Sequence, residues 1–296
     1  DPAAQPDPVA GRYLPPGSVR VPIALADGRT LLAERAAREG GEVVLSRLGE
    51  TVRLPAERVV NLPAEGGVPA PLRFPLGTDR FSRDLWSRLL HGARVSLIVG
   101  MLAALVAVGL GVLVGTLAAA GGRWGDAVLM RLVDAALAFP RIFLLLAIVA
   151  FFRPGVWALV AVLGASGWMG VARLVRSELV ALGRRDMALA ARAVGRHPLA
   201  VLVVHLLPNA LAPVLVALGL LIANVVIVES SLSFLGLGVP APAPSWGNMI
   251  AEGSDALLDA WWVATFPGIA LTVTVLAFNL LADGLRDLAD PRRARR

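Results

Sequence analysis

A long run of residues without charge constrains this chain more than any other feature. No charged side chain occurs from residue 95 to residue 122, and about 20 apolar residues are enough to cross the hydrocarbon core of a bilayer. Further apolar stretches occur at residues 135–152, 154–172, part of 197–228, and 260–282. Because 56% of the residues are hydrophobic and the mean hydropathy is +0.70, we predict an all-α polytopic membrane protein with five visible spans.

The amino-acid composition excludes several kinds of site. All 28 basic residues are arginine and cysteine is absent, which excludes a P-loop lysine, a Schiff-base lysine and a thiol nucleophile. The three histidines form no HExxH pattern, and we predict neither a metal site nor a catalytic residue in this chain. The net charge of +6 is expected to come from arginine at the cytoplasmic face and not from a nucleic-acid interface.

The positions of the arginines predict the orientation, because arginine in short connections stays on the cytoplasmic side. The connection before residue 197 holds six arginines, and the C-terminal tail holds five. We therefore place both segments in the cytoplasm. The connection at residues 229–259 contains acidic residues and no arginine, and alternation of the spans places it outside.

Counting the spans backwards places residues 1–94 outside the cytoplasm. A polar stretch of this length does not cross a membrane alone, and the chain begins at Asp1 with no apolar segment ahead of it. We therefore expect a further hydrophobic segment, most simply a sixth span, upstream of residue 1.

The composition divides the chain into four parts. Residues 1–74 are predicted to form a small β-rich extracytoplasmic module and a linker, because alternating residues and turn signals such as Asp27-Gly28 recur between residues 18 and 61. We interpret this module as a folded spacer. Residues 75–94 are assigned to an amphipathic segment before the membrane, residues 95–283 to the membrane domain, and residues 284–296 to a basic tail that contacts anionic membrane lipid.

Small and apolar residues recur at helical spacing in the arginine-rich connection. A helix there would present on one face Met187, Ala190, Ala191 and Val194. Gly195 stands where that helix would end. Such a flat face suits insertion into a groove of another protein, although an ordinary amphipathic surface helix explains the pattern equally well.

Polar side chains near the ends of the spans are candidates for lining a pathway through the membrane. Glu229 follows Asn224 at the outer end of the fourth visible span, where it either lines the pathway or marks the interface. Trp246 and Asn248 belong to the outer connection, and Trp246 is either an interfacial aromatic or part of an outer constriction. Arg141 is expected to extend to the lipid headgroups.

Several sequence strings occur in the order that is typical of one family. The connection at residues 184–209 resembles the loop of ABC-importer permeases that carries an EAA-x3-G pattern and then Leu-Pro. The matching positions are Ala190, Ala191, Gly195 and Pro208. Further strings extend the resemblance over residues 75–292: PLGTD at 75–79, RDLWSRLLHGARVSL at 83–97, LMRLVDAALAFP at 129–140, ESSLSFLGLG at 229–238, PSWGNM at 244–249 and FNLLADGLRD at 278–287. The chain thus resembles the second (C-type) permease subunit of the dipeptide, oligopeptide and nickel branch.

The resemblance implies a type I ABC-importer transmembrane fold in the bacterial inner membrane and a division of labour between subunits. A homologous permease would form the other half of the pathway, two ATPase subunits would use ATP and Mg, and an external binding protein would deliver the solute. This chain would bind no cofactor and would not be an enzyme. The implied activity is ATP-driven uptake of di- or oligopeptides or related small solutes by alternating access. The alternatives are an ABC importer of nickel or another solute, an ion-coupled secondary transporter, and a membrane scaffold that displays the N-terminal module without transporting a solute.

Two residues of the connection depart from the family pattern. Leu189 stands where the family has glutamate, and Val204 replaces the basic residue that precedes His205. We expect Leu189 to contact the ATPase by apolar packing, with Asp186 one turn earlier as a polar contact. The residues that the resemblance assigns to ATPase coupling are Asp186, Leu189, Ala190, Ala191, Gly195, His205 and Pro208.

Overall fold

The computed structural model describes residues 1–63, 67–152, 155–240 and 242–289. In these ranges the chain forms six strands before residue 75 and ten α-helices after it. The chain divides into two compact units. The first contains Asp1–Val95 and the segment that ends at Ala270, and the second contains Ser96–Pro240 and the segment that begins at Leu271.

The helices follow one another with short connections. Their bounds are α1 Leu85–Ala120, α2 Gly122–Ala138, α3 Arg141–Phe152, α4 Val156–Ala165, α5 Trp168–Leu182, α6 Asp186–Ala193, α7 Pro198–Ala200, α8 Leu207–Phe234, α9 Trp246–Ser254 and α10 Trp262–Ala289. A π-helical segment, Val201–Leu206, joins α7 to α8. A single 3-10 turn, Ala56–Arg58, occurs in the first unit among the described residues.

Two small antiparallel sheets build the N-terminal part of the first unit. Their strands are β1 Ser18–Ala24, β2 Thr30–Ala33, β3 Arg35–Glu39, β4 Glu42–Arg47, β5 Glu50–Pro55 and β6 Leu72–Phe74. The strand orders are β2-β1-β6 and β3-β4-β5. The two sheets share one apolar core, which consists of Ile23, Ala33, Val43, Leu45 and Val59. The predicted β-rich module is therefore present.

Tight turns fix the register of these strands. Arg47 pairs with Glu50, so Leu48 and Gly49 form a two-residue loop. Both have positive φ, of 53° and 79°, as a type I′ hairpin turn requires.

The sequence pattern did not indicate β3, because its residues Arg-Ala-Ala-Arg-Glu favour helix. Pairing along β4 places this segment in the sheet.

A buried carboxylate ties the first residues of the chain to both sheets. Asp7 is only 3% exposed, and it accepts two hydrogen bonds of 3.0 Å from the guanidinium of Arg47. The backbone N–H groups of Leu32, Ala10 and Val9 donate to the same carboxylate. Burial raises the pKa of Asp7, but the hydrogen bonds from Arg47 and from the three N–H groups lower it by more, and the pKa lies below its ordinary value.

A second charge cluster connects α9 with the first turn of α1 and the residues before it. Asp79 accepts hydrogen bonds of 2.6 Å from Arg83 Nε and from Arg88 Nη1. Both arginines also donate to Glu252 of α9, at 2.6 and 3.2 Å. Burial raises the pKa of Glu252, and the charge of Arg83 opposes this rise. Two positive and two negative groups thus balance in a site where an unpaired charge would be costly.

Three helical segments of the described residues are long and apolar enough to span a membrane: Leu85–Ala120, Pro198–Phe234 and Trp262–Leu288. The pair α4 and α5, bent by 42°, makes a fourth if it is one span. The predicted span at residues 135–152 is not one helix, because Phe139 is extended (ψ 131°) as the residue before Pro140 tends to be. The resulting α3 has 12 residues and a length of about 18 Å, which is shorter than a hydrocarbon core of about 30 Å.

Glycine allows α1 to approach α5 closely within the second unit. A Cβ atom at Gly111 would collide with Val171, and one at Gly115 would collide with Val175. The side chains of Val175 and Leu179 are buried in the core that results. Small residues at helix crossings have this role in membranes, where apolar packing against lipid gives no driving force.

The Asp7 cluster leads to the first prediction. Asp7→Asn should lower the free energy of unfolding of the β-rich module by about 2 kcal/mol at neutral pH, because Arg47 and three N–H groups lose a charged acceptor. Since folding lowers the pKa of Asp7 below 3.8, its stabilisation is present above pH 3.8 and is lost as the pH falls through the folded-state pKa. Amide hydrogen exchange of residues 30–33, followed by mass spectrometry, should be about 30 times faster at pH 7.

Asp27→Asn provides the matched control for this prediction. Asp27 forms an ion pair with Arg29 on the exposed β1–β2 turn, and surface pairs contribute little to stability. Unchanged exchange in Asp27→Asn and faster exchange in Asp7→Asn is the expected pattern. Equal exchange in both variants would contradict the assigned role of Asp7.

Candidate functional site

The connection between α5 and α8 contains the predicted short helix. α6 covers Asp186–Ala193. The turn that terminates it has Gly195 at a φ of +83°. The N–H of Gly195 donates to the carbonyl of Arg192, and the N–H of Arg196 donates to the carbonyl of Ala191. This pair of bonds is the Schellman motif, so the prediction that Gly195 terminates the helix is confirmed.

The two sides of α6 have different surroundings. Ala188 is fully buried, and Ala191, one turn later, packs against the same core of α5 and α8 residues. Ala190 and Met187 are exposed, as are Leu189 (51%) and Val194 (85%). The sequence placed Ala191 on the free face with Met187, Ala190 and Val194. This placement is wrong, because the side chain of Ala191 points towards the chain's own core.

The exposed residues of α6 form an apolar surface surrounded by positive charge. This surface, named the α6 patch here, consists of Met187, Leu189, Ala190 and Val194. The exposed arginines around it are Arg184, Arg185, Arg192 and Arg196. Asp186 is also exposed, at the first position of α6. An apolar centre with a charged rim is typical of a protein interface.

One continuous helical segment follows the turn at Gly195. α7, the π-helical segment and α8 run without a break over Pro198–Phe234. The side chain of His197 caps its start by accepting from the N–H of Leu199. Pro208 has no N–H to donate to the preceding turn. The segment before it, which contains His205, has the wider hydrogen-bonding pattern of a π-helix. The carbonyl of His205 accepts from the side chain of Asn209 at 2.6 Å.

The core beneath α6 connects it to the membrane helices. Its buried members come from α5, α6, the π-helical segment and α8: Val171, Val175, Leu179, Leu182, Ala188, Val201, Leu202, Leu206, Ala210 and Val214. Partly buried apolar side chains pack against this core. A displacement of α6 would therefore disturb the packing of both neighbouring helices.

The structure places the side chain of Glu229 in the interior of the chain. Its side chain is fully buried within the chain and accepts a hydrogen bond of 2.7 Å from Ser233 Oγ. Ser233 Oγ in turn accepts from the N–H of Val239, and a Cβ atom at Gly238 would collide with this hydroxyl. Glu229 thus holds the end of α8 in the string ESSLSFLGLG.

Trp246 is also buried within the chain. It is 3% exposed, and its indole N–H donates to the carbonyl of Leu89 at 3.2 Å. Asn248 is half-buried, and its backbone N–H donates to Ser245 Oγ at the start of α9. Trp262 is buried and donates to the carbonyl of Thr78.

Asn224 is exposed on α8 and has a partner that the sequence did not indicate. Arg141 Nη1 donates to Asn224 Oδ1 at 3.0 Å, and Arg141 Nε donates to Ser166 Oγ at 3.1 Å. The prediction that Arg141 extends to lipid headgroups is therefore wrong. No sequence signal connects residues 83 positions apart, and only the packing of α3 and α8 places them together.

Two ion pairs between α2 and α5 were also missed by the sequence analysis. Arg173 pairs with Asp134, and Arg176 pairs with Asp126. The spacing of the two arginines along α5 places both on the side that faces α2. Among the described residues, no group of three or more histidine, aspartate or glutamate side chains is arranged to hold a metal ion.

The fold and sequence of the chain are similar to those of known proteins. Residues 107–295 match the family described as the binding-protein-dependent transport system inner membrane component. A permease protein of Brucella suis whose name refers to a peptide transport system is 45% identical over 224 residues, which cover 76% of this chain and 75% of that protein. The di/tripeptide transport system permease protein DppC of Pseudomonas aeruginosa is 40% identical over 228 residues, or 77% of this chain and 74% of that protein.

Solved structures support the fold. An inward-facing structure of the MetNI methionine ABC transporter aligns with a TM-score of 0.57 at 21% identity and covers 69% of this chain and 97% of its own. An amino acid ABC transporter with histidines gives a TM-score of 0.55 at 18% identity, over 67% of this chain and 92% of its own. The chain belongs to the family of binding-protein-dependent transport system inner membrane components, and it is a permease subunit of an ABC importer with the type I transmembrane fold.

Proposed function

We propose that this permease subunit carries di- or oligopeptides, or related small solutes, across the bacterial inner membrane. The observation that carries the proposal is the similarity to permeases named for peptide and di/tripeptide transport, at 45% and 40% identity over about three quarters of the chain. Family membership argues against the ion-coupled alternative, and the names of these relatives favour peptides over nickel.

The complex that we propose contains a homologous permease, two ATPase subunits that use ATP and Mg, and an extracytoplasmic binding protein. In it the α6 patch docks into a groove of one ATPase. Leu189, where the family pattern has glutamate, contributes apolar contact area, and the surrounding arginines meet acidic side chains of the ATPase. Support for this assignment comes from the exposure of Leu189 and Val194 and from the register of the loop with the family pattern.

Movement of the ATPases reaches the membrane through the contacts of α6. Ala188 and Ala191 pack against residues of α5 and α8, and the turn at Gly195 leads directly into the continuous segment Pro198–Phe234. This segment has a length of about 55 Å. When the ATPases close on ATP, α6 and this segment move together, and the pathway alternates between its inward and outward openings.

The proposed topology places residues 1–94 outside the cytoplasm and the C-terminus inside. The first compact unit groups these residues with the segment up to Ala270, and the connection between α8 and α10 contains no arginine. The α5–α8 connection contains four arginines, and α5 itself contains Arg173 and Arg176; arginine of this kind is retained on the cytoplasmic side.

Peptide uptake tests the proposed function directly. Proteoliposomes that contain the complete complex, with ATP inside and the binding protein outside, should accumulate labelled dialanine. Omission of ATP or of the binding protein should abolish accumulation. Accumulation of a metal ion, with no uptake of peptides of two to five residues, would contradict the proposal.

Ala190→Arg tests the docking surface. A guanidinium placed in the apolar centre of the α6 patch would have to be desolvated on docking, so uptake of dialanine should fall about tenfold or more. The amount of inserted permease should stay the same. The measurement is uptake together with the ATPase recovered by pull-down of the permease.

Gln5→Arg is the matched control, since it adds the same charge at an exposed position of the β-rich module. It should leave both uptake and ATPase recovery unchanged. Normal ATPase recovery in Ala190→Arg would show that the α6 patch is not the docking surface.

Cysteine labelling tests the topology, because the chain has no cysteine of its own. Gly41→Cys, at the exposed β3–β4 turn, should react with a membrane-impermeant maleimide in intact spheroplasts. Arg196→Cys, after α6, should react only after permeabilisation. The reverse pattern would overturn the proposed orientation.

A further inference from the structure

Arg141 joins three segments of the membrane domain through its guanidinium. Nε donates to Ser166 Oγ at 3.1 Å, Nη1 donates to Asn224 Oδ1 at 3.0 Å, and Nη2 donates to the carbonyl of Leu163 at 3.4 Å. Ser166 Oγ also donates to the Leu163 carbonyl, at 2.8 Å. The guanidinium is therefore held in one orientation from the side of α4.

Two interruptions of the helices meet at this arginine. Arg141 is the first residue of α3, directly after the break at Phe139 and Pro140. Ser166 lies at the bend between α4 and α5. Asn224 lies about 25 Å along α8 from its first residue and about 15 Å from its last, so the three groups are inside the membrane domain and distant from both ends of α8. Irregular backbone at membrane depth occurs where it lines a cavity or is covered by protein.

The charge of Arg141 is not neutralised within the described part of the chain. The three groups that accept its hydrogen bonds are a hydroxyl, an amide oxygen and a backbone carbonyl. Arg141 forms no ion pair with a described carboxylate. A guanidinium has five N–H groups, so two remain for a further acceptor, and among the described residues the amide nitrogen of Asn224 has no hydrogen-bond partner either.

The surface around Asn224 indicates where that acceptor would approach. Asn224 is exposed on α8, and the exposed apolar side chains of Leu220 and Ile227, four residues before it and three residues after it, lie on the same side of the helix. An ionisable side chain at membrane depth faces a partner subunit or a water-filled cavity and not lipid. The open N–H groups of Arg141 and Asn224 therefore face the side on which a translocation pathway would lie.

We propose that Arg141 and Asn224 form an anion-binding subsite that receives the carboxylate of the transported solute. The guanidinium supplies charge and N–H donors, the Asn224 amide supplies an additional N–H, and Ser166 is a positioning residue that orients Arg141. Guanidinium and carboxylate form the strong, charge-assisted pairs seen in many binding sites. The inference rests on the proposed peptide transport, because a peptide carries a C-terminal carboxylate.

Asn224→Asp is the most informative variant. It retains the acceptor for Arg141 Nη1 and so preserves the connection between α3 and α8, but its negative charge occupies the position of the solute carboxylate. A purely structural Arg141 would tolerate this change. Asn279→Asp, which places the same new carboxylate on α10, is the matched control for the effect of an added membrane charge.

Ligand binding is measured on the complete complex in lipid nanodiscs, without the binding protein. The probes are N-acetylalanine, which has a carboxylate and no amine, and N-acetylalaninamide, which has neither charge. Saturation-transfer NMR should show binding of N-acetylalanine about tenfold stronger than binding of the amide. Asn224→Asp and Arg141→Gln should reduce it to the level of the amide, and Asn279→Asp should not.

Three outcomes would overturn the subsite: equal binding of both probes to the natural complex, unchanged binding in Asn224→Asp, or loss of the second permease from Asn224→Asp during purification. The last outcome would show that Arg141 pairs with a carboxylate of the partner permease. The binding assay does not depend on transport. If the natural complex transports no peptide but retains selective binding of N-acetylalanine, the proposed solute class fails and the anion subsite remains.

Discussion

The membrane domain depends on one constraint, which is that polar groups inside a bilayer must find their partners within the protein. Arg141, Ser166 and the Leu163 carbonyl satisfy one another at the break between α4 and α5. Glu229 and Ser233 do the same at the end of α8. Because water is absent from the hydrocarbon region, each cluster fixes the geometry of the helices that supply it. The open donors of Arg141 and Asn224 depart from this rule within the described residues, and an ionisable side chain at membrane depth indicates a functional site.

Outside the apolar helices, charge clusters organise the first unit in a related way. Asp79 and Glu252 balance Arg83 and Arg88 in a buried network. This network gives a physical reason for the strings PLGTD and RDLWSRLL, which contain three of the four residues. Trp246 and Trp262 of the same unit donate to backbone carbonyls of residues in these strings. The residues of these two strings therefore have packing and charge-pairing roles in the first unit.

In the proposed complex, the short helix α6 serves both docking and force transmission. Its buried alanines allow close packing against α5 and α8, while its exposed apolar residues remain free for a partner. The Schellman turn at Gly195 is short, so α6 and the segment Pro198–Phe234 have little freedom to move separately. This division between an inward and an outward side explains why small residues recur in the loop.

The sequence alone determined the membrane class, the β-rich module, α6 with its end at Gly195, and the family, because uncharged runs, turn residues and ordered strings depend on local chemistry. It could not determine the side on which Ala191 lies, the burial of Glu229 and Trp246, or the division of the predicted second span into α2 and α3. Those features depend on which helices pack together. The pairing of Arg141 with Asn224 required the tertiary structure, since no local pattern brings together side chains from α3 and α8.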